Sequence, residues 1–563
     1  MKNSLVIYIY LLFSHILVLD IAKSQSQPQL LFSLPLPIDA SFGSPLLTGS
    51  VVSDINNDGN LEIIQNAGNK LFVYDYEGQI VNGWPQNTIY TLQQNAAVGD
   101  VTGDGYKNLI ALDRNFNGNS YLYAWDNLGV YLSGFPLLVE FNISSFPQTP
   151  ILIDFNRDGA NEIVFNTDST VFILDGLGNN INGWPKIFDE RIYDIGVGDF
   201  NGDNNIDIVC RTRTSFKFYN LDGSQLFNSF IMNEGSIGFM SHSFADIDMD
   251  GNTEIFAGIY ELGSGPWAAG TVLFDPETGI VNGWPQWLEY NQFIFEPCSW
   301  ADFNGDDTLE IIFGDDDGLL HVMDIHGSYL EGFPVQPGNS ITAGINPPVG
   351  DIDGDGDFEI FIDNNIVFGG VSSRYHVFHH NGEEISWSPQ YLNGIAAFIS
   401  PALGDLDNDG SVEVVYAVTD YLTSAQVGLH VYTIPGVPFD VSTFPWPMKG
   451  HDPQNTMWYD YPYYLKIDDE QNELLPHTIA LNQNYPNPFN NSTIIPYELD
   501  VNAHVRIFIY NILGEEKSVL VNDEKSAGKY NVVWNPGAIP SGVYFIKLET
   551  NKYSIVRKTL LLK

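Results

Sequence analysis

Residues 198–209 read GDFNGDNNIDIV, and residues 301–312 read ADFNGDDTLEII. In both, an apolar stretch leads into an Asp- and Asn-rich loop, which ends with an acidic residue and a β-branched pair. Eight copies of this loop lie 45 to 56 residues apart, beginning at Asp54, Asp100, Asp154, Asp199, Asp246, Asp302, Asp351 and Asp405. A repeat period of about 50 residues indicates a propeller or a solenoid.

Each repeat continues with short apolar runs that indicate β-strands. In the first repeat, LEII at 61–64 and KLFVYD at 70–75 precede a turn at Gly78 and the corner VNGWP at 81–85. The corner recurs at Trp84-Pro85, Phe135-Pro136, Trp184-Pro185, Trp284-Pro285 and Phe333-Pro334, and is degenerate around Phe227. About four antiparallel strands per repeat predict an all-β, eight-bladed β-propeller over 30–460, with seven blades and a divergent unit as the alternative.

Both ends of the array carry parts of a repeat. LPLPIDASFGSPLL at 34–47 resembles the outgoing half of a unit, and WPMKGHDPQNT at 446–456 supplies a final WP corner. We therefore expect strands from both ends to share the last blade.

The loops carry side-chain oxygens at positions 1, 3, 5 and 9 and usually glycine at position 6. Hard cations with six to eight oxygen ligands need such a wrapped loop, so Ca²⁺ fits best. An EF-hand would need glutamate at position 12 and flanking helices, whereas a strand begins here. The predicted ligands, for up to eight ions, are Asp54, Asn56, Asp58, Glu62; Asp100, Thr102, Asp104, Asn108; Asp154, Asn156, Asp158, Glu162; Asp199, Asn201, Asp203, Asp207; Asp246, Asp248, Asp250, Glu254; Asp302, Asn304, Asp306, Glu310; Asp351, Asp353, Asp355, Glu359; and Asp405, Asp407, Asp409, Glu413.

The number of carboxylates ranks the loops. Those starting at Asp246, Asp351 and Asp405 have four each, and the one starting at Asp100 has two, so its calcium site is predicted to be weak or empty. Asn204 and Asp307 replace the position 6 glycine in two loops, which both residue types tolerate. A single loop of this kind is equally well read as an Asx-rich turn. Eight phased copies favour calcium, because unneutralised carboxylates repel one another.

The composition excludes several classes of protein. The 563-residue chain has 23 Lys and Arg against 70 Asp and Glu, a formal charge of −47 that disfavours nucleic acid as a partner. A hydrophobic content of 44% is sufficient for a core, unlike that of an acidic disordered chain. The two cysteines, Cys210 and Cys298, exclude a disulfide scaffold, and we expect two buried thiols, with one disulfide as the alternative.

Residues 1–24 have the pattern of a signal peptide. Lys2 precedes an apolar run from Leu5 to Leu19, and Ala22-Lys23-Ser24 offers a cleavage site. The run is shorter than the roughly 20 residues that a membrane span needs, and no later run approaches that length. We expect an exported chain that is a monomer and has no transmembrane segment once mature.

The loops resemble the FG-GAP and VCBS repeats of integrin-α-like propellers, as in GDFNGDNNIDIV and ADFNGDDTLEII. The resemblance covers roughly Leu30 to Tyr459 and implies calcium bound in β-hairpin loops at positions 1, 3, 5 and 9. It does not imply integrin function, because one fold serves many functions.

A separate module follows the polar linker predicted at 461–478. Over 479–563, alternating runs at 504–511, 529–535, 542–549 and 553–563 predict a small Ig-like β-sandwich. The segment resembles the type A C-terminal sorting domain of the type IX (Por) secretion system. The residues that carry this resemblance are Asn484, Pro486, Asn487, Pro488, Gly528, Tyr530, Gly542, Tyr544 and 558–563. It implies the type IX machinery as a partner and a location outside the cell or on its surface, reached through the periplasm. An adhesive sandwich domain is the alternative.

No recognised catalytic motif is evident outside the loops. The best candidates are histidines, but strand alternation places His376 and His380 on one face and His379 on the other, so the three do not converge. We expect them, with His242, His321, His326 and His451, to be hydrogen-bonded strand or turn residues. Asp315, Asp316 and Asp317 are predicted to form a solvated turn.

Two function classes remain. The first is a secreted or surface-attached, noncatalytic protein that binds a glycan or a protein. The second is a polysaccharide lyase or hydrolase with an acid or base in the central channel. The lack of a visible catalytic set favours the first.

Overall fold

The computed structural model describes residues 27–36, 49–115, 118–140, 148–227, 229–231, 242–261, 268–288, 294, 296–306, 308–315, 317–338, 346–364, 372–393, 399–418, 427–440, 442–459, 479–481, 489–490, 492–499, 503–511, 516–526, 528–537, 539–550 and 554–563. These residues form strands, turns and loops. None of them lies in a helix, so the described part of the chain contains no helix that could span a membrane. The chain divides into two compact units, Met1–Asp469 and Glu470–Lys563. The predicted signal peptide, the linker at 461–478 and the motif residues at 484–488 lie outside the described residues.

The described part of the first unit contains eight antiparallel sheets, numbered here in the order of their repeat loops. Sheets 1 to 4 consist of Val51–Ser53, Glu62–Ala67, Lys70–Tyr74, Gln86–Asn87; Thr91–Leu92, Ala97–Gly99, Asn108–Arg114, Ser120–Trp125, Leu137–Val139; Ile151–Ile153, Glu162–Asn166, Thr170–Leu174, Lys186–Ile187; and Asp194–Gly198, Asp207–Arg211, Ser215–Tyr219, Phe230–Ile231. Sheets 5 to 8 consist of His242–Ala245, Glu254–Glu261, Ala268–Asp275, Gly279–Ile280, Gln286–Trp287; Ser299–Ala301, Glu310–Gly314, Leu320–Met323; Val349–Gly350, Glu359–Asn364, Ser372–His379, Gln390–Asn393; and Ala402–Gly404, Val412–Val418, Val427–Ile434, Gln29–Leu36. The all-β propeller fold is confirmed, and the number of blades stays a prediction.

The strand that follows the repeat loop is deeply buried in its sheet. Glu62–Ala67 and Asp207–Arg211 are buried along their whole length. Strands buried on both faces read as continuous apolar runs, which explains the β-branched pairs that follow position 9.

The two strands that flank each repeat loop, here called its first and second strands, form a hairpin. In sheet 4, Val197 pairs with Ile208 and Gly198 with Asp207. The same register places position 9 opposite the residue before position 1 in all eight sheets. Each loop therefore leaves its sheet at the same end of the hairpin.

The two ends of the array meet in sheet 8, as predicted. Gln29–Leu36 pairs antiparallel with Val427–Ile434, for example at Ser33 and His430. Loop 1 also contacts loop 8, because the Leu61 amide donates to the Leu406 carbonyl at 2.8 Å. The first unit is thus closed into a ring, which leaves few unpaired sheet edges.

Residues 446–459, here called the axial segment, differ from the prediction. They do not form an outer WP corner but lie among the first strands of the sheets, where Trp446 and Met448 are fully buried. Carbonyls of the segment accept hydrogen bonds of 2.7 to 3.0 Å from first-strand amides of sheets 7, 8, 2, 3 and 5, namely Val349, Leu403, Val98, Leu152 and Phe244. The chain itself therefore occupies the middle of the ring.

The second unit contains two sheets around one core. One consists of Ile479–Leu481, Thr493–Leu499 and Gly528–Trp534, and the other of Glu516–Lys525, Ala503–Asn511, Gly542–Glu549 and Ser554–Leu561. Ile495 and Trp534 of the first sheet and Ile507 and Ile546 of the second belong to the same buried cluster. The Ig-like topology stays a prediction.

Candidate metal-binding loops

Position 1 of each loop organises the backbone around it. In loop 1, the Gly59 amide donates to Asp54 Oδ2 at 2.8 Å, and the Asn57 amide donates to Oδ1 at 2.6 Å. The bond from position 6 to position 1 recurs in loops 2, 3, 4, 5, 7 and 8. In loop 6, position 6 is Asp307, which lies outside the described residues.

Two positions of the loop hold left-handed backbone. At position 6, Gly59 has φ 90° and Asn204 has φ 61°, so asparagine does replace glycine there. Position 4 also has positive φ in all eight loops, even where the residue is Arg157 or Met249. Position 4 is glycine in four loops and asparagine in two, and both residue types favour this conformation, whereas Arg157 and Met249 adopt it without that preference.

Position 9 carries a side-chain oxygen that the fold buries, and it belongs to a carboxylate in every loop except loop 2. The Ile247 amide donates to Glu254 Oε2 at 3.0 Å, and the amide of position 2 makes the same bond to position 9 in all eight loops. This bond fixes one oxygen of the side chain and leaves the other for the loop.

In two loops the second oxygen has no hydrogen-bond partner among the described residues. These atoms are Glu254 Oε1 and Asp207 Oδ1, on side chains only 1% exposed. Burial, followed by repulsion from Asp248, raises the pKa of Glu254 to about 9. Burial and repulsion from Asp203 raise the pKa of Asp207 to about 8. A cation would compensate for both the burial and the repulsion of these charges, so these residues fit a bound Ca²⁺.

The structure brings carboxylate ligands together in the three loops ranked strongest. Oxygens within 4.8 Å of one another come from Asp246, Asp248 and Asp250; from Asp351, Asp353 and Asp355; and from Asp405, Asp407 and Glu413. In loops 1, 3 and 6 the position 3 amide instead donates to the position 9 glutamate, as Asn56 Nδ2 does to Glu62 Oε1 at 2.8 Å. Each of these side-chain amides must flip, exchanging Nδ2 and Oδ1, to present its oxygen to a cation.

Loop 2 contains a basic residue near its acidic ligands. Lys107 precedes position 9, and burial lowers its pKa while Asp100 and Asp54 raise it. Asn108 Oδ1 accepts the Val101 amide at 2.8 Å, so it makes the bond that a glutamate makes elsewhere. An ammonium group close to Asp100 supports the prediction of a weak calcium site.

The histidines of sheet 7 do not converge. His376 Nδ1 lies 2.6 Å from Glu384 Oε1, His379 Nδ1 lies 2.9 Å from Glu359 Oε1, and His380 Nδ1 lies 3.3 Å from Asp357 Oδ2. Cys210 and Cys298 are buried free thiols, as expected.

The prediction of a solvated turn at Asp315 was wrong. Its side chain is fully buried, and Oδ2 lies 3.0 Å from His321 Nε2. The other imidazole nitrogen lies 2.9 Å from the Tyr329 hydroxyl. Hydrogen bonds from the Asp317 and Leu319 amides to Asp315 Oδ1 compensate for the buried charge.

Asn346 holds the axial segment in place. Its Oδ1 accepts the Trp446 indole N–H at 2.8 Å and the Gly450 amide at 3.2 Å. Its Nδ2 donates to Ser299 Oγ at 3.0 Å and to two neighbouring carbonyls. The side chain is fully buried, so each of these groups depends on it.

Two family comparisons match parts of the chain. Residues 483–562 match the secretion system C-terminal sorting domain, and residues 199–257 match the FG-GAP-like repeat. Both resemblances are therefore confirmed, and the sorting domain indicates export by the type IX secretion system to the cell surface or beyond it. No curated protein matches the sequence of this chain.

Several solved structures resemble this chain at low sequence identity. The V. cholerae biofilm matrix protein Bap1 is 11% identical with a TM-score of 0.38, covering 75% of this chain and 93% of its own. PorZ, a surface component of the type IX secretion system of Porphyromonas gingivalis, is 11% identical with a TM-score of 0.28, covering 94% and 76%. The Neurospora crassa Pan2 WD40 domain is 9% identical with a TM-score of 0.35, covering 73% and 97%.

Proposed function

We propose that this exported protein is a calcium-binding propeller that binds an extracellular glycan or protein without catalysis. The observation that carries the calcium proposal is the pair of buried oxygens without partners, Glu254 Oε1 and Asp207 Oδ1. Each faces a loop with further carboxylates, and burying a charge without a counter-charge is costly. Calcium supplies that counter-charge and prefers oxygen ligands.

The axial segment supports binding over catalysis in the channel. A lyase or hydrolase of the alternative class needs a channel that a sugar chain can enter. In the described residues, the axial segment fills the space between the first strands of five sheets. Ligand contacts would then lie on the outer surfaces of the ring.

Metal analysis tests the calcium proposal. Full-length protein dialysed against Ca²⁺ and then against metal-free buffer should retain several calcium ions, and excess EDTA should lower its melting temperature. At a free calcium concentration 100-fold above the dissociation constant, one site adds about 2.7 kcal/mol to stability. An unchanged melting curve in EDTA, together with no bound calcium, contradicts the proposal.

A binding screen separates the two function classes. Calcium-loaded protein should retain a glycan or matrix protein on an array without changing it. Release of unsaturated or reducing ends from a polysaccharide would instead favour the lyase or hydrolase. The double variant Glu254→Gln, Asp207→Asn serves as a control for calcium-dependent retention.

A further inference from the structure

Loop 7 differs from the other loops in the residue that faces its position 9. The second and third strands of sheet 7 pair Glu359 with His379. His379 also begins the turn to the fourth strand, since its amide donates to the Glu383 carbonyl. Thr433 pairs with Glu413 in sheet 8. The other six sheets place an acidic or amide residue at the start of this turn, namely Asp75, Asp126, Asp175, Asn220, Asp275 and Asp324.

The imidazole of His379 reaches the loop. Nδ1 lies 2.9 Å from Glu359 Oε1, and the Glu359 side chain is fully buried. Ligand atoms of Asp353, Glu359 and His379 all lie within 4.8 Å of one another. Small movements of these side chains would bring the three atoms to bonding distances of about 2.0 to 2.2 Å from one ion. Among the described residues, the three other groups of this kind contain carboxylates alone.

We propose that loop 7 binds a transition-metal ion of the Zn²⁺ class through Asp353, Glu359 and His379, in place of the Ca²⁺ predicted there from its four carboxylates. Calcium selects oxygen ligands, whereas an imidazole nitrogen with two carboxylates suits Zn²⁺. The Ile352 amide donates to Glu359 Oε2 at 3.0 Å and so orients the carboxylate, with Oε1 toward His379. On binding, the proton between Nδ1 and Oε1 is released to solvent, both atoms bond to the ion, and the neutral imidazole carries its proton on Nε2.

Titration of the full-length protein with Zn²⁺, in excess Ca²⁺, tests this inference. The excess Ca²⁺ occupies any calcium sites in the other loops, so the result does not depend on the calcium proposal. Wild-type protein should bind one Zn²⁺ that Ca²⁺ does not displace. His379→Asp introduces the residue type found at this position in five other sheets and should weaken zinc binding by at least about 10-fold.

Two further measurements exclude indirect effects. His380→Ala removes the neighbouring imidazole, which pairs with Asp357 at 3.3 Å, and should leave zinc affinity unchanged. Co²⁺ loaded in place of Zn²⁺ should give an absorption spectrum with nitrogen ligation that H379D loses. Equal zinc affinities of wild type and H379D, or displacement of Zn²⁺ from wild type by Ca²⁺, overturns the proposal.

Discussion

Replacing Glu254 by glutamine should change the stability of the protein in opposite directions with and without calcium. Glu254 occupies position 9 of loop 5 and is 1% exposed. Glutamine keeps the size of the side chain and the oxygen that accepts the Ile247 amide at 3.0 Å. It removes the negative charge. Burial disfavours that charge when no cation is bound, whereas a bound cation needs it as a counter-charge.

The raised pKa of Glu254 determines how much the glutamine substitution stabilises the protein when no cation is bound. The pKa of Glu254 rises from 4.5 to about 9 in the folded protein, chiefly through burial. A carboxyl whose folded pKa exceeds its unfolded pKa destabilises the fold progressively as pH rises between those two values. At pH 7 this cost is about 3 kcal/mol, because each pKa unit corresponds to about 1.4 kcal/mol.

Urea unfolding at pH 7 measures both directions. In EDTA, E254Q should be more stable than wild type by up to about 3 kcal/mol, and the difference should shrink toward pH 4.5. In saturating Ca²⁺, E254Q should be less stable by about 2 to 3 kcal/mol, because the site is weakened. The control E277Q, at an exposed turn of sheet 5, should change neither value. A change in the unfolding free energy of E254Q that has the same sign in EDTA and in Ca²⁺ would refute the reasoning.

Three other predictions concern the loops, the axial segment and the tail. In Ca²⁺, Asp250→Ala should lower the melting temperature more than Asp104→Ala, and equal losses would contradict the ranking of the loops. Asn346→Ala should lower the unfolding free energy by about 2 to 4 kcal/mol in urea, because the Trp446 and Gly450 donors lose their acceptor; an unchanged midpoint would show that the segment is held otherwise. Deletion from Leu481 onward should leave a folded first unit in the periplasm, and normal export on fractionation would refute the sorting role.

The repeats allowed much of the first unit to be predicted. The phased loops predicted the hairpins, and the register at Asp207 follows from the strand that begins there. The expected N-terminal strand of the last blade is Gln29–Leu36, which overlaps the predicted segment 34–47 only at 34–36. The three loops with four carboxylates are also those whose oxygens converge.

Features that do not recur from repeat to repeat could not be predicted in the same way. Lys107 lies close to acidic residues of two loops only after the ring has formed. Asp315 is part of an acidic run in the sequence, and its burial depends on His321 six residues later. The strand Glu516–Lys525 was missed because its charged residues obscure the alternation.

The axial segment changes how the two function classes are weighed. Its sequence contains a WP corner, so pattern alone assigned it to a blade, yet its carbonyls bind amides from sheets that are far apart in the chain. Such contacts form only when the ring is closed, since each depends on a different sheet. A propeller whose own chain stabilises its centre uses that space for structure, and recognition of a partner then falls to its outer surfaces.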